Sequence, residues 1–144
     1  MVILHRLSMG IDHDPVPLKL WAANTGGRAV VASLGPDGDP IELPTSSSTL
    51  HIHLSPPCTD LSSARNGAGT ASVERGTDML RWALDLVLER GDHSWSLENV
   101  STPSTRAVLA EYTTRFPGRV AFATLDAADF GAAQTRTRLI AAPP

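Results

Sequence analysis

Cysteine is almost absent: the 144 residues contain one, Cys58. A lone thiol forms no internal disulfide, and without a Cys-x-x-Cys pair there is no thiolate clamp for zinc. A single free thiol suits a reducing compartment. Aromatic residues are scarce at 5%, so Leu, Val, Ile and Ala must supply most of the packing. There is no long basic run, and the formal net charge is −3. Proteins that grip duplex nucleic acid usually carry a basic stripe, so the composition argues against strong DNA binding by this chain alone. No apolar stretch is long enough to span a membrane, and the opening MVILHRLSMG lacks a signal-peptide cleavage region. No internal repeat or interdomain linker is evident. These absences predict one soluble, intracellular domain over residues 1–144, cytoplasmic or nuclear, with no membrane partner.

What is present supports a packed core. Hydrophobic residues make up 42% and charged residues 19%, which is too apolar for a disordered tail. LSMGID (7–12) reads as a buried strand ending in an acid, and Pro15–Asn24 as a helix stopped by Gly26-Gly27. The run 29–34 is a second strand, 35–48 a Gly/Pro/Asp/Ser-rich loop with room for one helical turn, and 50–55 a third strand. Residues 59–73 are small and polar, lack an apolar period and are expected to be mobile. Residues 74–90 place Met79, Leu80, Trp82, Ala83, Leu86 and Val87 at helical spacing. A strand at 94–100 follows, then a helix at 103–115 with Val108, Leu109 and Tyr112 on one face and Ser101 or Thr102 as its cap. Two last strands, VAFATLDA and TRLIAAP, are joined by DFGAAQTR. Alternating strands and helices predict an α/β fold with a largely parallel sheet.

Three places carry residues suited to chemistry. Cys58 follows Pro56-Pro57 just past a strand end, where open α/β sheets hold ligands. The prolines fix the backbone before the sulfur, although a lone Cys also serves as a small buried hydrophobe. Glu98 closes the next strand, so the two are expected to face one pocket, where an acid can donate a proton. A surface or helix-capping glutamate fits the same position. Arg136 and Arg138 lie two apart at the start of a strand, which sends both side chains one way, toward an anionic or carbonyl-rich ligand or into solvent. His51 and His53 alternate on one strand. No third ligand has a recognisable spacing, so no metal site is expected, and the pair marks a partly exposed face.

In chain order, Gly10-Ile11-Asp12-His13-Asp14-Pro15 with Ala23-Asn24, Ser55-Pro56-Pro57-Cys58-Thr59-Asp60-Leu61-Ser62, Arg75-Gly76, Glu98-Asn99-Val100, and Leu125–Gly131 with Gln134-x-Arg136-x-Arg138 resemble the motifs of the cytosine-C5 DNA methyltransferase family. The resemblance covers about residues 7–142. It implies a Rossmann-like S-adenosylmethionine-dependent methyltransferase fold, incomplete, with a mostly parallel sheet and a C-terminal antiparallel hairpin. It implies that Cys58 attacks C6 of a flipped cytosine and that Glu98 bonds to N3 and the exocyclic amine. Arg138 would contact the base carbonyl, and Arg136 would support the loop and pocket. Pro57, Asn99 and Gln134 would contact the substrate.

S-adenosylmethionine would be the cofactor, with Asp12 at its ribose, His13 against its adenine, and Ser55 and Pro56 beside it. For Asp12, capping the helix ahead of Pro15 is an equally open role. The family's Phe-x-Gly-x-Gly turn and its target-recognition region find no counterpart in these 144 residues, Thr59 stands where the family has Gln, and Thr137 where it has Glu. A second chain or self-association is therefore expected to complete the fold. The substrate is expected to be DNA, with RNA as an alternative through the family's tRNA-modifying branch. A catalytically inactive remnant or binding module is the reading from another class.

Overall fold

The structure, a computed structural model, describes residues 9–43, 50–59, 61, 70–91 and 94–144. The apolar opening, the end of the loop at 35–48 and most of the segment at 59–73 lie outside the described residues, so their expected conformations have no counterpart here. Among the described residues the chain is mixed α/β, with three α-helices and two sheets, and it divides into two compact units, 1–44 and 45–144. Among the described residues no helix is long and apolar enough to cross a membrane.

Among the described residues the first unit is a strand–helix–strand arrangement. Strand β1 (Met9–Asp12) pairs in parallel with β2 (Arg28–Val31), and helix α1 (Pro15–Thr25) joins them. Asp14 caps α1 by accepting the Val16 N–H at 2.9 Å, which satisfies one of the unpaired donors of a helix start. The capping role open to Asp12 thus falls to Asp14. Gly26, at φ 68°, ends the helix in the left-handed region that glycine adopts without strain. Strand β2 stops at Val31, short of the expected 34, because Ser33 turns its N–H to the Asp39 carboxylate at 2.7 Å.

The second unit builds a four-stranded sheet in the order β3-β4-β6-β5. Its strands are β3 (His51–Leu54), β4 (Ser94–Asn99), β5 (Ala121–Asp126) and β6 (Thr137–Ala142). β3 and β4 are parallel, whereas β6 runs antiparallel to both of its neighbours. The expected C-terminal antiparallel hairpin is present. The antiparallel direction of β6 makes the sheet mixed, and β6 lies between β4 and β5.

Helices α2 (Thr70–Arg90) and α3 (Pro103–Arg115) share one core with this sheet. The strands alternate: Trp95, Leu97 and Asn99 of β4 are buried while Ser94, Ser96 and Glu98 take the other face. Leu80, Ala83, Leu84, Val87 and Leu88 from α2 and Val108, Leu109 and Tyr112 from α3 join Trp95, Leu97, Leu139 and Ala141 in the core. Of the expected α2 stripe, Leu80, Ala83 and Val87 are buried, whereas Met79, Trp82 and Leu86 are only half-buried and Leu84 and Leu88 complete the buried face. α2 also begins four residues before the expected 74, at Thr70. Its first turn, Thr-Ala-Ser-Val, is too small to show an apolar period, yet small residues sit in a helix at modest cost. α3 matches its expected span, with Thr102 as the cap and Pro103 in the first turn.

Candidate active site

The site grows from strand register. Leu54 of β3 lies beside Leu97 of β4, so the next residues, Ser55 and Glu98, are neighbours. Across the other edge of β4, Glu98 faces Ile140 of β6. Arg138, two residues back along β6, therefore shares the face of Glu98 on the diagonal, within reach of a long side chain. The side chains use this placement. Arg138 Nε meets Glu98 Oε1 at 2.8 Å, and Ser55 Oγ donates to Glu98 Oε2 at 2.8 Å. Both members of the ion pair keep about a quarter of their side-chain surface exposed, 27% for Arg138 and 25% for Glu98. A charged pair at such depth is less screened than one on the open surface.

The Pro-Pro-Cys segment is tied to the same strand from the buried side. Asn99 is 1% exposed; its Nδ2 donates to the Pro56 carbonyl at 3.1 Å and its Oδ1 accepts the Val100 N–H at 2.8 Å. One buried amide thus fixes the entrance to the loop that carries Cys58. The Leu61 N–H bonds the Cys58 carbonyl at 3.0 Å, and Leu61 is itself buried. Cys58 is a free, half-buried thiol past the carboxyl end of β3, the sheet end at which Glu98 stands. Pro57 is exposed beside it.

Of the expected site residues, Ser55, Glu98 and Arg138 meet directly, and Pro56 and Asn99 meet each other. Ser55, expected at the cofactor, spends its hydroxyl on Glu98. Asn99, expected at the substrate, faces the core and holds the loop. Arg136 and Gln134 are exposed in the connection between β5 and β6. β6 begins at Thr137, so strand alternation does not align Arg136 with Arg138. In the first unit, the Asp12 carboxylate accepts the Asp14 N–H at 2.9 Å and lies 3.1 Å from His13 Nδ1, both through Oδ1.

One residue at this end gave little sign in the sequence. Asp126 closes β5, and its carboxylate gathers the N–H of Ala128, the N–H of Arg136 and the hydroxyl of Thr137 at 3.0, 3.0 and 3.2 Å. The Ala128 N–H first, and the Arg136 N–H next, hold the Asp126 carboxyl below the usual carboxylate range; slight desolvation opposes this and the Thr137 hydroxyl adds to it. Its signal was the pattern already seen at Asp12 and Glu98, an acid closing a strand. The 3-10 turn Ala127–Phe130 and Gly131, at φ 88°, complete the loop that leads to Arg138.

On the same face, farther from the strand ends, His51 bonds Ser94 and Ser96 at 2.9 Å each, and His53 bonds Ser96 at 2.8 Å. Both histidines are exposed, in line with the expected open face. Among the described residues no group of three or more His, Cys, Asp or Glu side chains is arranged to hold a metal ion. No protein-family model matches the chain, and no curated protein matches it.

Proposed function

We propose that the chain is the catalytic portion, as a fragment or subunit, of an S-adenosylmethionine-dependent DNA (cytosine-5)-methyltransferase. The observation that carries this reading is the meeting of three motifs distant in sequence at one sheet end. Glu98 of Glu-Asn-Val is bonded to Arg138 of Gln-x-Arg-x-Arg and to Ser55 of Ser-Pro-Pro-Cys, and Asn99 is bonded to Pro56. The parallel β3–β4 pair and the antiparallel β5–β6 hairpin also accord with a methyltransferase-type sheet.

In this reading the Cys58 thiolate adds to C6 of a cytosine, forming an S–C6 bond and making C5 nucleophilic. Cytosine C6 is a weak electrophile, so an acid must act on the ring together with a soft nucleophile. Glu98 would bond N3 and the exocyclic amine, and Arg138 would bond the base carbonyl. Loss of the C5 proton then expels the thiolate. In a duplex the base must first leave the stack. S-adenosylmethionine supplies the methyl group when bound. Asp12 fits its ribose in chemistry: it closes a parallel strand ahead of a helix, and among the described residues both contacts of its carboxylate fall on Oδ1, leaving Oδ2 for a hydroxyl.

The test is trapping with duplex DNA containing 5-fluorocytosine, in the presence of S-adenosylmethionine. Fluorine does not leave as a cation, so the S–C6 bond persists through denaturing electrophoresis. The wild type is expected to form the adduct and Cys58→Ser to form none. No adduct with either DNA or RNA carrying the base would sink the reading, as would methyl transfer by Cys58→Ser.

A further inference from the structure

We infer that Ser55 is a positioning residue that fixes the rotation of the Glu98 carboxylate. The inference deepens the proposed function and rests on it. It starts from the separate use of the two carboxylate oxygens: Oε1 takes Arg138 Nε and Oε2 takes the Ser55 hydroxyl, each at 2.8 Å. The terminal torsion of glutamate is broad, so one bond alone leaves the plane of the carboxylate free to turn. A second donor on the other oxygen removes that freedom. Each oxygen accepts more than one hydrogen bond, so both retain capacity for a ligand edge.

Ser55 is well held for this task. Behind it, β3 is paired to β4 through Leu54 and Leu97. Ahead of it, the Pro56 carbonyl is bonded by buried Asn99, and Pro56 and Pro57 restrict the backbone. The donor is a short side chain on a backbone pinned on both sides, so little entropy is lost in aiming it. Arg138, in contrast, reaches Glu98 through a long side chain whose Nη1 also donates to the Thr137 carbonyl at 2.7 Å. The serine supplies the rigid reference, and the arginine supplies the charge.

The full chain is compared with Ser55→Ala and Ser55→Thr in two readouts. The first is the Arg138 Nε–H resonance in proton–nitrogen spectra. The wild type is expected to give a resolved, slowly exchanging signal. Ser55→Ala should broaden it or speed its exchange several-fold, and Ser55→Thr, which keeps the hydroxyl, should restore it. A wild type without a resolved signal, or an alanine variant that matches the wild type, overturns the inference. The second readout is methyl transfer to cytosine-containing DNA. Misaiming a reacting group costs rate, so Ser55→Ala should lower kcat about ten- to a hundredfold with KM held, and Ser55→Thr should recover it. A change in KM alone overturns the positioning role. Absence of methyl transfer in every variant removes the catalytic reading, while the Nε–H readout still decides whether Ser55 orders Glu98.

Discussion

Glu98 and Arg138 come from strands that run in opposite directions, and they meet at 2.8 Å because Ile140, not Arg138, is the residue directly across from Glu98. A diagonal neighbour gives a long guanidinium side chain room to lie along the sheet and present Nε to the carboxylate. The pair is half-buried, so removing one member leaves the other poorly solvated.

Arg138→Met is therefore expected to lower stability by about 1–2 kcal/mol, between an exposed pair and a fully buried one. Arg138→Lys should recover only part of the loss, since an ammonium lacks the planar array of donors. Urea unfolding of the three proteins measures this; an unchanged midpoint for Arg138→Met would show that the pair contributes nothing.

Asn99 should matter for both stability and the thiol. Asn99→Ala removes the donor to the Pro56 carbonyl and the acceptor for the Val100 N–H. The expected cost is about 1–3 kcal/mol, the range for leaving buried polar groups unpaired. Loosening of the Pro56 anchor should also raise the rate at which Cys58 reacts with a disulfide reagent. Equal rates in the two proteins would mean that the bond does not restrain the loop.

Asp126 makes the β5–β6 connection sensitive to acid. Its carboxyl is held below its ordinary value, so its contribution is complete above the unfolded value of about 3.9 and is lost as pH falls through the lower folded value. The amide resonances of Ala128 and Arg136 should keep their neutral positions down to the ordinary Asp range and move only below it. In Asp126→Ala the amides of 127–136 should exchange faster while those of β4 and β6 hold their protection. Uniform exchange across all of them would contradict a local role.

In the first unit, Gly10 is the sensitive position. A Cβ there would lie 2.8 Å from Trp21 Cε3. Gly10→Ala must displace the indole, at an expected cost of about 1–3 kcal/mol for overpacking. Fluorine resonances of labelled tryptophan separate Trp21 from Trp82 and Trp95. An unmoved Trp21 signal would show that the backbone yields instead.

Much of this arrangement could be read along the chain. The strand end at Glu98, the thiol behind Pro56-Pro57, and the Thr102 cap before Pro103 are local patterns, and the structure places the acid and the cysteine loop at one sheet end. Choices between equivalent neighbours were less legible. Asp12 and Asp14 both precede Pro15, and only the backbone geometry selects Asp14 as the cap. The Thr70 start of α2 is carried by small residues without a period. Ser55 finds its acceptor 43 residues away, and the partner of such a hydroxyl depends on strand register, which no local pattern states. Nor does the sequence signal the entry of β6 between β4 and β5, because an antiparallel strand can pair with either neighbour.

That entry has a consequence for the order in which the sheet can close. β4 is complete at Asn99, and β5 at Asp126, yet they are not neighbours; the strand that belongs between them starts at Thr137. Until β6 pairs, one edge of β4 is without its partner, a row of unsatisfied amides and carbonyls open to other chains. Such non-local closure is slow relative to helix formation. A chain stopped before residue 137 should be cut by proteases faster than one that includes β6, and restoring β6 should restore the protection.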